Sequence, residues 1–324
     1  MYSMKNKEIL VFGASGQIGR HLIRRFTKNN YKVIAVTRNI HQKGYLLKTQ
    51  GNPGYLEIKE LKVFEEEKIR QIMDGCSICI NLIGILYEKK SGQFNLIHSK
   101  LPKMISKIAS EKKIDQFIHL SSLGIDEIND SAYALSKKEG ENYIRNNFKN
   151  CVILKPSIVY SQDDQFTTKF MSLLSNLPIM PLYYKGSTKF MPIHVTDLAE
   201  VIYQIIDKKI KKMTIECVGE EMFSFKQILE ILLKLIEKKR LLIPMPLILA
   251  KFSAKFFQLF PTPLLTEDQL KLLKYDNIPT GKFKTNFDIG FKTKKKFESE
   301  VKKYSYNWKS GGQYSIKNKI SSNE

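Results

Sequence analysis

Cysteine is scarce in this chain: the four, at positions 76, 79, 151 and 217 of 324 residues, give neither a disulfide framework nor a metal-ligand pattern. Cys76 and Cys79 have CxxC spacing, but Cys79 lies inside the apolar run SICINLI (Ser77–Ile83), which predicts a buried strand thiol rather than a redox pair, in a reducing compartment. Long apolar runs are missing too. Leu241–Ala250 is ten residues long and holds two prolines, against about 20 apolar residues for a membrane-spanning helix. The first apolar stretch already reads as a strand, so no secretory leader is expected. Arginine supplies only seven of the 53 basic residues. The net charge of +21 would suit a polyanionic partner. Scattered lysines nevertheless lack the guanidinium forks that read phosphates and bases, so no nucleic-acid partner is expected.

What the chain does have is glycine at regular spacing near its start. VFGASGQIGR (Val11–Arg20) follows a short apolar segment and leads into Ile18, Leu22, Ile23 and Phe26, which recur at helical spacing. A strand entering a helix through glycines seats a phosphate. Gly13 makes the tight turn, Gly16 lets backbone approach a pyrophosphate, and Gly19 lets the helix pack on the sheet. Ser15, Gln17 and Ile18 complete the expected cradle.

From Glu8 to Pro156 strand and helix patterns alternate. KVIAVT (32–37), SICINLI (77–83), QFIHL (116–120) and CVILK (151–155) read as buried parallel strands. Residues 65–73, 95–111 and 133–146 read as helices. This is the rhythm of an α/β fold, a doubly wound parallel Rossmann sheet whose ligand lies at the carboxyl ends of the strands. Beyond Ser157 prolines multiply and the rhythm loosens. The expected division is a nucleotide-binding domain at 1–156 with contributions from later segments, a smaller mixed α/β cap at 157–304, and a polar mobile tail at 305–324.

The second strand ends in Val36-Thr37-Arg38-Asn39, where an NAD site usually carries a carboxylate for the ribose 2′-hydroxyl. Arg38 in its place, supported by Arg20, predicts a 2′-phosphate partner and so NADP(H) over NAD(H). Leu82, Ile83 and Gly84 follow Asn81 at the fourth strand end, and Ser121 and Ser122 follow the fifth. Pro156 and Ile158 follow the sixth. Tyr133 and Lys137 stand four apart on one helix face. There the ammonium would lower the phenol's pKa, making Tyr133 a general acid or base, with Lys137 holding the nicotinamide ribose and Ser122 as third member.

These residues resemble the short-chain dehydrogenase/reductase superfamily in its extended or atypical branch, through GASGQIG, NLIG, HLSS, YALSK and KPSIVY. A narrower resemblance, carried by VTRN, INLIGILYE (80–88), KPSIVYSQDDQF (155–166), PIHVTDLA (192–199) and PLLTEDQLKLLKYDNI (263–278), is to the nucleotide-binding accessory subunit family of respiratory complex I and its alphaproteobacterial relatives. That resemblance implies a tightly held NADPH, mainly structural, and complex I subunits or another membrane-associated partner. It also implies a place peripheral to the cytoplasmic face of the bacterial inner membrane. The competing reading is an NADPH-dependent reductase, epimerase or dehydrogenase of quinone or related metabolism, working through Tyr133 and Lys137. Two departures bear on turnover. The acidic residue expected near the adenine has only Glu65 to fill it, and the gap from Ser122 to Tyr133 is shorter than in extended epimerases. Asp197 and His194 read as structural. Lastly, Leu247, Ile248, Phe252, Phe256 and Leu259 fall on one helical face with Lys251 and Lys255 beside them. Residues 240–260 are therefore expected either to dock on a membrane surface or to pack as core.

Overall fold

The computed structural model describes residues 7–246 and 265–314. Two compact units emerge. The first comprises residues 1–157, 195–218 and 279–292; the second comprises 158–194, 219–278 and 293–324.

The first unit is built on strands β1 (Glu8–Phe12), β2 (Lys32–Thr37), β3 (Leu56–Glu60), β4 (Ile78–Asn81), β5 (Gln116–Leu120) and β6 (Cys151–Pro156). Four short strands of the second unit follow, β7 (Val159–Tyr160), β8 (Ile179–Leu182), β9 (Lys189–Phe190) and β10 (Ile193–His194). The chain then returns with β11 (Met213–Cys217). It continues through β12 (Phe223–Ser224), β13 (Leu241–Pro244) and β14 (Lys284–Thr285). The main sheet has eight strands in the order β14-β11-β6-β5-β4-β1-β2-β3, all parallel. Parallel strands need both faces covered, which is why Ile9, Leu10, Val11 and Phe12 are all buried in succession. The order reverses at β1, whose partners are β2 on one side and β4 on the other. At such a reversal the connections leave in opposite directions and open a crevice at the strand ends.

Helices α1 (Gln17–Thr27), α2 (Ile40–Lys48), α3 (Glu66–Ile72), α4 (Leu101–Glu111) and α5 (Ala132–Asn147) link these strands, all but α2 at stretches where the periodicity predicts a helix. One differs. The expected helix over 95–111 begins as a π-helical turn, Asn95–Lys100, before α4. Pro102 explains the change, since it has no N–H to give the carbonyl four residues back, that of His98. That carbonyl lies against α5: a Cβ on Gly140 would stand 1.9 Å from it, so only glycine allows the two segments this close. Ser131 caps α5 by accepting from the Ala134 N–H at 3.2 Å.

In the second unit α6 (Thr167–Asn176) precedes β8; α7 (Val195–Asp207) belongs to the first unit and α8 (Phe225–Leu235) again to the second. Its strands form three two-stranded pairs, and its core gathers Tyr160, Phe190, Phe225, Phe297 and Trp308. This is the smaller mixed α/β part. The LTEDQLKLLKYDN stretch serves as a brace within it. Thr266 and Gln269 form a reciprocal cap on helix Glu267–Leu272, the Leu273 carbonyl accepts from Thr188, and Asp276 accepts from the Lys189 N–H at 2.8 Å.

Within the stretch expected as a tail, residues 305–308 continue the fold as the end of helix Phe297–Ser305 and a 3-10 turn. Trp308 is buried, lies 4.9 Å from the Tyr314 ring, and its carbonyl accepts from Ser175 at 3.1 Å. Of the 240–260 segment, Leu241–Pro244 pairs with β8 as a strand. Leu247, Ile248, Lys251, Phe252, Lys255, Phe256 and Leu259 lie outside the described residues. Among the described residues no helix is long and apolar enough to cross a membrane.

Candidate nucleotide site

At the carboxyl end of β1, Gly13 has φ +77°, and a Cβ there would meet the Leu82 carbonyl carbon at 3.2 Å and the Ile83 nitrogen at 3.3 Å. The loops after β1 and β4 therefore touch through a glycine. Gly16 donates its N–H to the Gly13 carbonyl at 3.1 Å and is the N-cap of α1; it carries no side chain to cap the first turn, and no acidic residue stands there. A Cβ on Gly19 would lie 2.5 Å from the Ala14 carbonyl oxygen. The tight turn at Gly13 and the close packing at Gly19 are present, and the helix end carries partial positive charge. Such an end suits a pyrophosphate. Gln17 and Ile18 open the helix, and Ser15 accepts from Thr37 at 3.5 Å.

At the end of β2, Arg38 is exposed and makes no hydrogen bond or ion pair among the described residues. Its neighbour Asn39 caps α2 through the Gln42 N–H at 3.0 Å. Glu60, opposite Thr37 in the ladder, accepts from the Ile40 N–H at 3.0 Å, a bond that lowers its pKa. Glu65 stands at the N-cap position of α3 without a side-chain capping bond and pairs with Lys68 at 2.8 Å.

Beyond β4 and β5 side chains take over. Asn81 is fully buried; its carboxamide oxygen accepts from the Ile83 N–H at 3.1 Å, and its amide nitrogen lies 3.2 Å from His119 Nδ1. The Ile85 N–H donates to His98 Nε2 at 3.1 Å, so the neutral ring carries its proton on Nδ1 and donates to Ser136 at 3.1 Å. Burial first, and then the Lys137 ammonium, pushes His98 down to about 2 and His119 to about 3. Both rings are uncharged at neutral pH. His98 stacks on Phe94 at 5.3 Å and meets the edge of Tyr133 at 5.2 Å.

Tyr133 and Lys137 do come together on α5. Both are buried, and Lys137 Nζ lies 5.5 Å from the Tyr133 ring centroid and 3.4 Å from the Leu120 carbonyl that accepts from it. Gly84 faces the same place: a Cβ there would be 3.7 Å from both Lys137 Nζ and His98 Nε2. The two serines part company. Ser121 donates to Glu141 at 2.5 Å, whereas Ser122 is half-buried and makes no hydrogen bond among the described residues. Pro156 closes β6, its carbonyl accepting from the Leu123 N–H at 3.0 Å. Ile158 belongs to the second unit, where its carbonyl accepts from the Ile193 N–H at 2.9 Å. The other candidates all belong to the first unit.

Sequence reasoning passed over His98 and the charged residues in the core. Glu141 is buried and meets Lys155 at 3.2 Å and Arg145 at 3.0 Å. A second carboxylate, Glu216, is opposite Lys155 in the ladder and is satisfied by the Thr280 hydroxyl and N–H at 2.6 and 3.0 Å. The signal available was a lysine or glutamate inside an otherwise apolar strand, as in CVILKP and TIECV.

Residues 5–259 match the NmrA-like family. The chain belongs to that family. It is 25% identical over 282 residues to the mitochondrial NADH-ubiquinone oxidoreductase 40 kDa subunit of Neurospora crassa, covering 86% of this chain and 74% of that protein. It is also 25% identical over 193 residues to the ceramide reductase of Caulobacter vibrioides, covering 59% of this chain and 58% of the relative. Among solved structures, dTDP-glucose 4,6-dehydratase from Streptomyces venezuelae, with NAD and TYD bound, superposes with a TM-score of 0.71 at 14% identity, over 93% of this chain and 96% of that one. The family's short-chain-dehydrogenase type of fold is thus the fold of this chain.

Proposed function

We propose that this protein is an accessory or assembly subunit of respiratory NADH:ubiquinone oxidoreductase, complex I, holding an NAD(P)(H) molecule that is mainly structural. The observation that carries the reading is the 282-residue match to an oxidoreductase subunit, joined to a glycine turn that suits a pyrophosphate. A ligand held only by the folded chain stabilises it by mass action, so the nucleotide has a role without turnover. The bound form is NADP(H) rather than NAD(H), with Arg38 on the 2′-phosphate. The chain sits peripherally against complex I subunits at the cytoplasmic face of the inner membrane.

Mild detergent extraction followed by native electrophoresis tests the assignment. The chain should migrate with NADH:quinone activity, and mass spectrometry of the released small molecules should find a dinucleotide. Migration apart from complex I, with unchanged quinone reduction in a deletion strain, would overturn it. Arg38→Asp should weaken NADPH by about 1.5 to 3 kcal/mol, the worth of a charged hydrogen bond, and spare NADH. Equal loss of both in calorimetry removes the NADP preference.

A second reading, a reductase, epimerase or dehydrogenase of quinone or related metabolism, is supported by the meeting of Tyr133 and Lys137 beside Gly84 and by the reductase relative. Tyr133→Phe separates the two. An accessory subunit keeps its nucleotide and its complex I association, whereas a reductase loses NADPH-dependent turnover.

A further inference from the structure

We propose that Lys155 is a positioning residue for the nicotinamide half of the bound dinucleotide, acting through Glu141 and Ser121; this rests on the nucleotide reading above. Lys155 is fully buried in β6. Its Nζ lies 2.5 Å from Asp126 and 3.2 Å from Glu141, with the Phe283 ring 4.9 Å away. Glu141, itself 2% exposed, turns its other oxygen to the Ser121 hydroxyl at 2.5 Å. One ammonium thus ties three separate segments: a strand, a helix, and the loop leaving β5.

Those segments carry the groups assigned to the nicotinamide end. Glu141 follows Lys137 by four residues, one helical turn further along the same face of α5. Lys137 in turn donates to the Leu120 carbonyl, next to Ser121. Gly140 abuts the His98 carbonyl, so α5 cannot move toward the π-helical turn. The Lys155 grip fixes it from the strand side. A buried ion pair adds little net stability over apolar side chains of the same volume, because desolvation offsets attraction. Fixing the turn of α5 that carries Lys137 is a better account of a wholly buried lysine than stability.

The adenine half is held elsewhere, by the glycine turn and the end of β2, and this makes the proposal testable in the full-length protein. The nucleotide bound more tightly, NADPH or NADH, and its matching adenine fragment, 2′,5′-ADP or ADP, are titrated by calorimetry alongside thermal unfolding. The variants are Lys155→Arg, Lys155→Met and the charge-balanced pair Lys155→Met with Glu141→Gln, which keeps the test valid if the single methionine variant fails to fold. The balanced pair should bind the adenine fragment within about twofold of wild type and the dinucleotide about tenfold or more weakly, each tenfold being 1.4 kcal/mol. Lys155→Arg, which retains the charge, should recover most of that loss. Equal weakening of fragment and dinucleotide, or no weakening of either, overturns the positioning role. Wild-type protein that binds neither overturns the nucleotide reading itself, and the positioning role with it.

Discussion

At Gly19 the space for a side chain is gone: a methyl group there would stand 2.5 Å from the Ala14 carbonyl oxygen, whereas at Gly84 it would meet nothing nearer than 3.7 Å. The first glycine is demanded by the fold, because helix α1 and the loop before it occupy the volume. The second is not, since ordinary contact distances surround it and its backbone lies outside the left-handed region. The same division separates the two walls of the candidate crevice. Around β1 and α1, backbone against backbone sets the shape. Around β5 and α5 buried side chains do it: Ser121, Glu141 and Lys155 in one linked set, His98 with Ser136, and His119 with Asn81. Backbone walls are rigid and insensitive to pH; side-chain walls depend on charge balance.

The largest expected effect comes from unbalancing the second wall. Glu141→Ala strips Lys155 of one of two carboxylates and leaves Ser121 without its acceptor. Breaking a buried pair in this way costs about 3 to 5 kcal/mol. Denaturant unfolding should show it, and a loss under about 1 kcal/mol would mean that Asp126 alone balances the lysine.

Acid should reach the same wall next. His98 and His119 titrate near 2 and 3 in the folded chain, against an ordinary 6.5. With the folded values lowered, the unfolded chain takes up the protons first. Stability is therefore complete above about pH 6.5 and falls as pH drops below it, by about 1.4 kcal/mol per unit for each ring, or about 3 together. His119→Gln, whose amide oxygen still accepts from Asn81, should halve that slope. Unfolding curves at pH 7, 6 and 5 that coincide would contradict the neutral buried pair.

Smaller again is the effect on the backbone wall. Gly19→Ala should cost about 1 to 3 kcal/mol by overpacking, and do so equally at pH 7 and pH 5. A loss that grows with acid would place Gly19 under the control of the side-chain network.

How far the sequence reveals each wall follows from the same physics. GASGQIG is legible because Gly16 and Gly19 answer steric demands set by Gly13 and Ala14 inside the motif and Gly13 takes a left-handed turn, although the backbone that Gly13 abuts, Leu82 and Ile83, is distant in sequence. The strands are legible because two covered faces require unbroken apolar runs. The complex I resemblance holds at the level of relatives, and the stretch that carries it most specifically, LTEDQLKLLKYDN, forms hydrogen bonds inside the second unit. The second wall is different. Lys155 finds Asp126 29 positions away, and Glu141 finds Ser121 at a distance of 20. No periodicity joins them. Ser121 and Ser122, adjacent in HLSS, read as equivalent, yet a strand end turns successive side chains to different sides, and only Ser121 reaches Glu141.

Gly84 supplies the finest test of the comparison. If the fold alone required this glycine, alanine would destabilise the chain. The surroundings, with Lys137 Nζ and His98 Nε2 both at 3.7 Å from the added carbon, leave room for it, so Gly84→Ala should change unfolding free energy by less than about 0.5 kcal/mol, as an unstrained substitution does. What the methyl would obstruct is approach: it stands beside the ammonium assigned to the nicotinamide ribose. Dinucleotide affinity should fall about tenfold, or 1.4 kcal/mol, while the adenine fragment, seated at the glycine turn, binds as before. A stable Gly84→Ala protein that binds both ligands like wild type would move the nicotinamide away from α5, and with it the roles given to Tyr133 and Lys137. A protein that loses stability instead would show that this wall, too, is set by backbone packing.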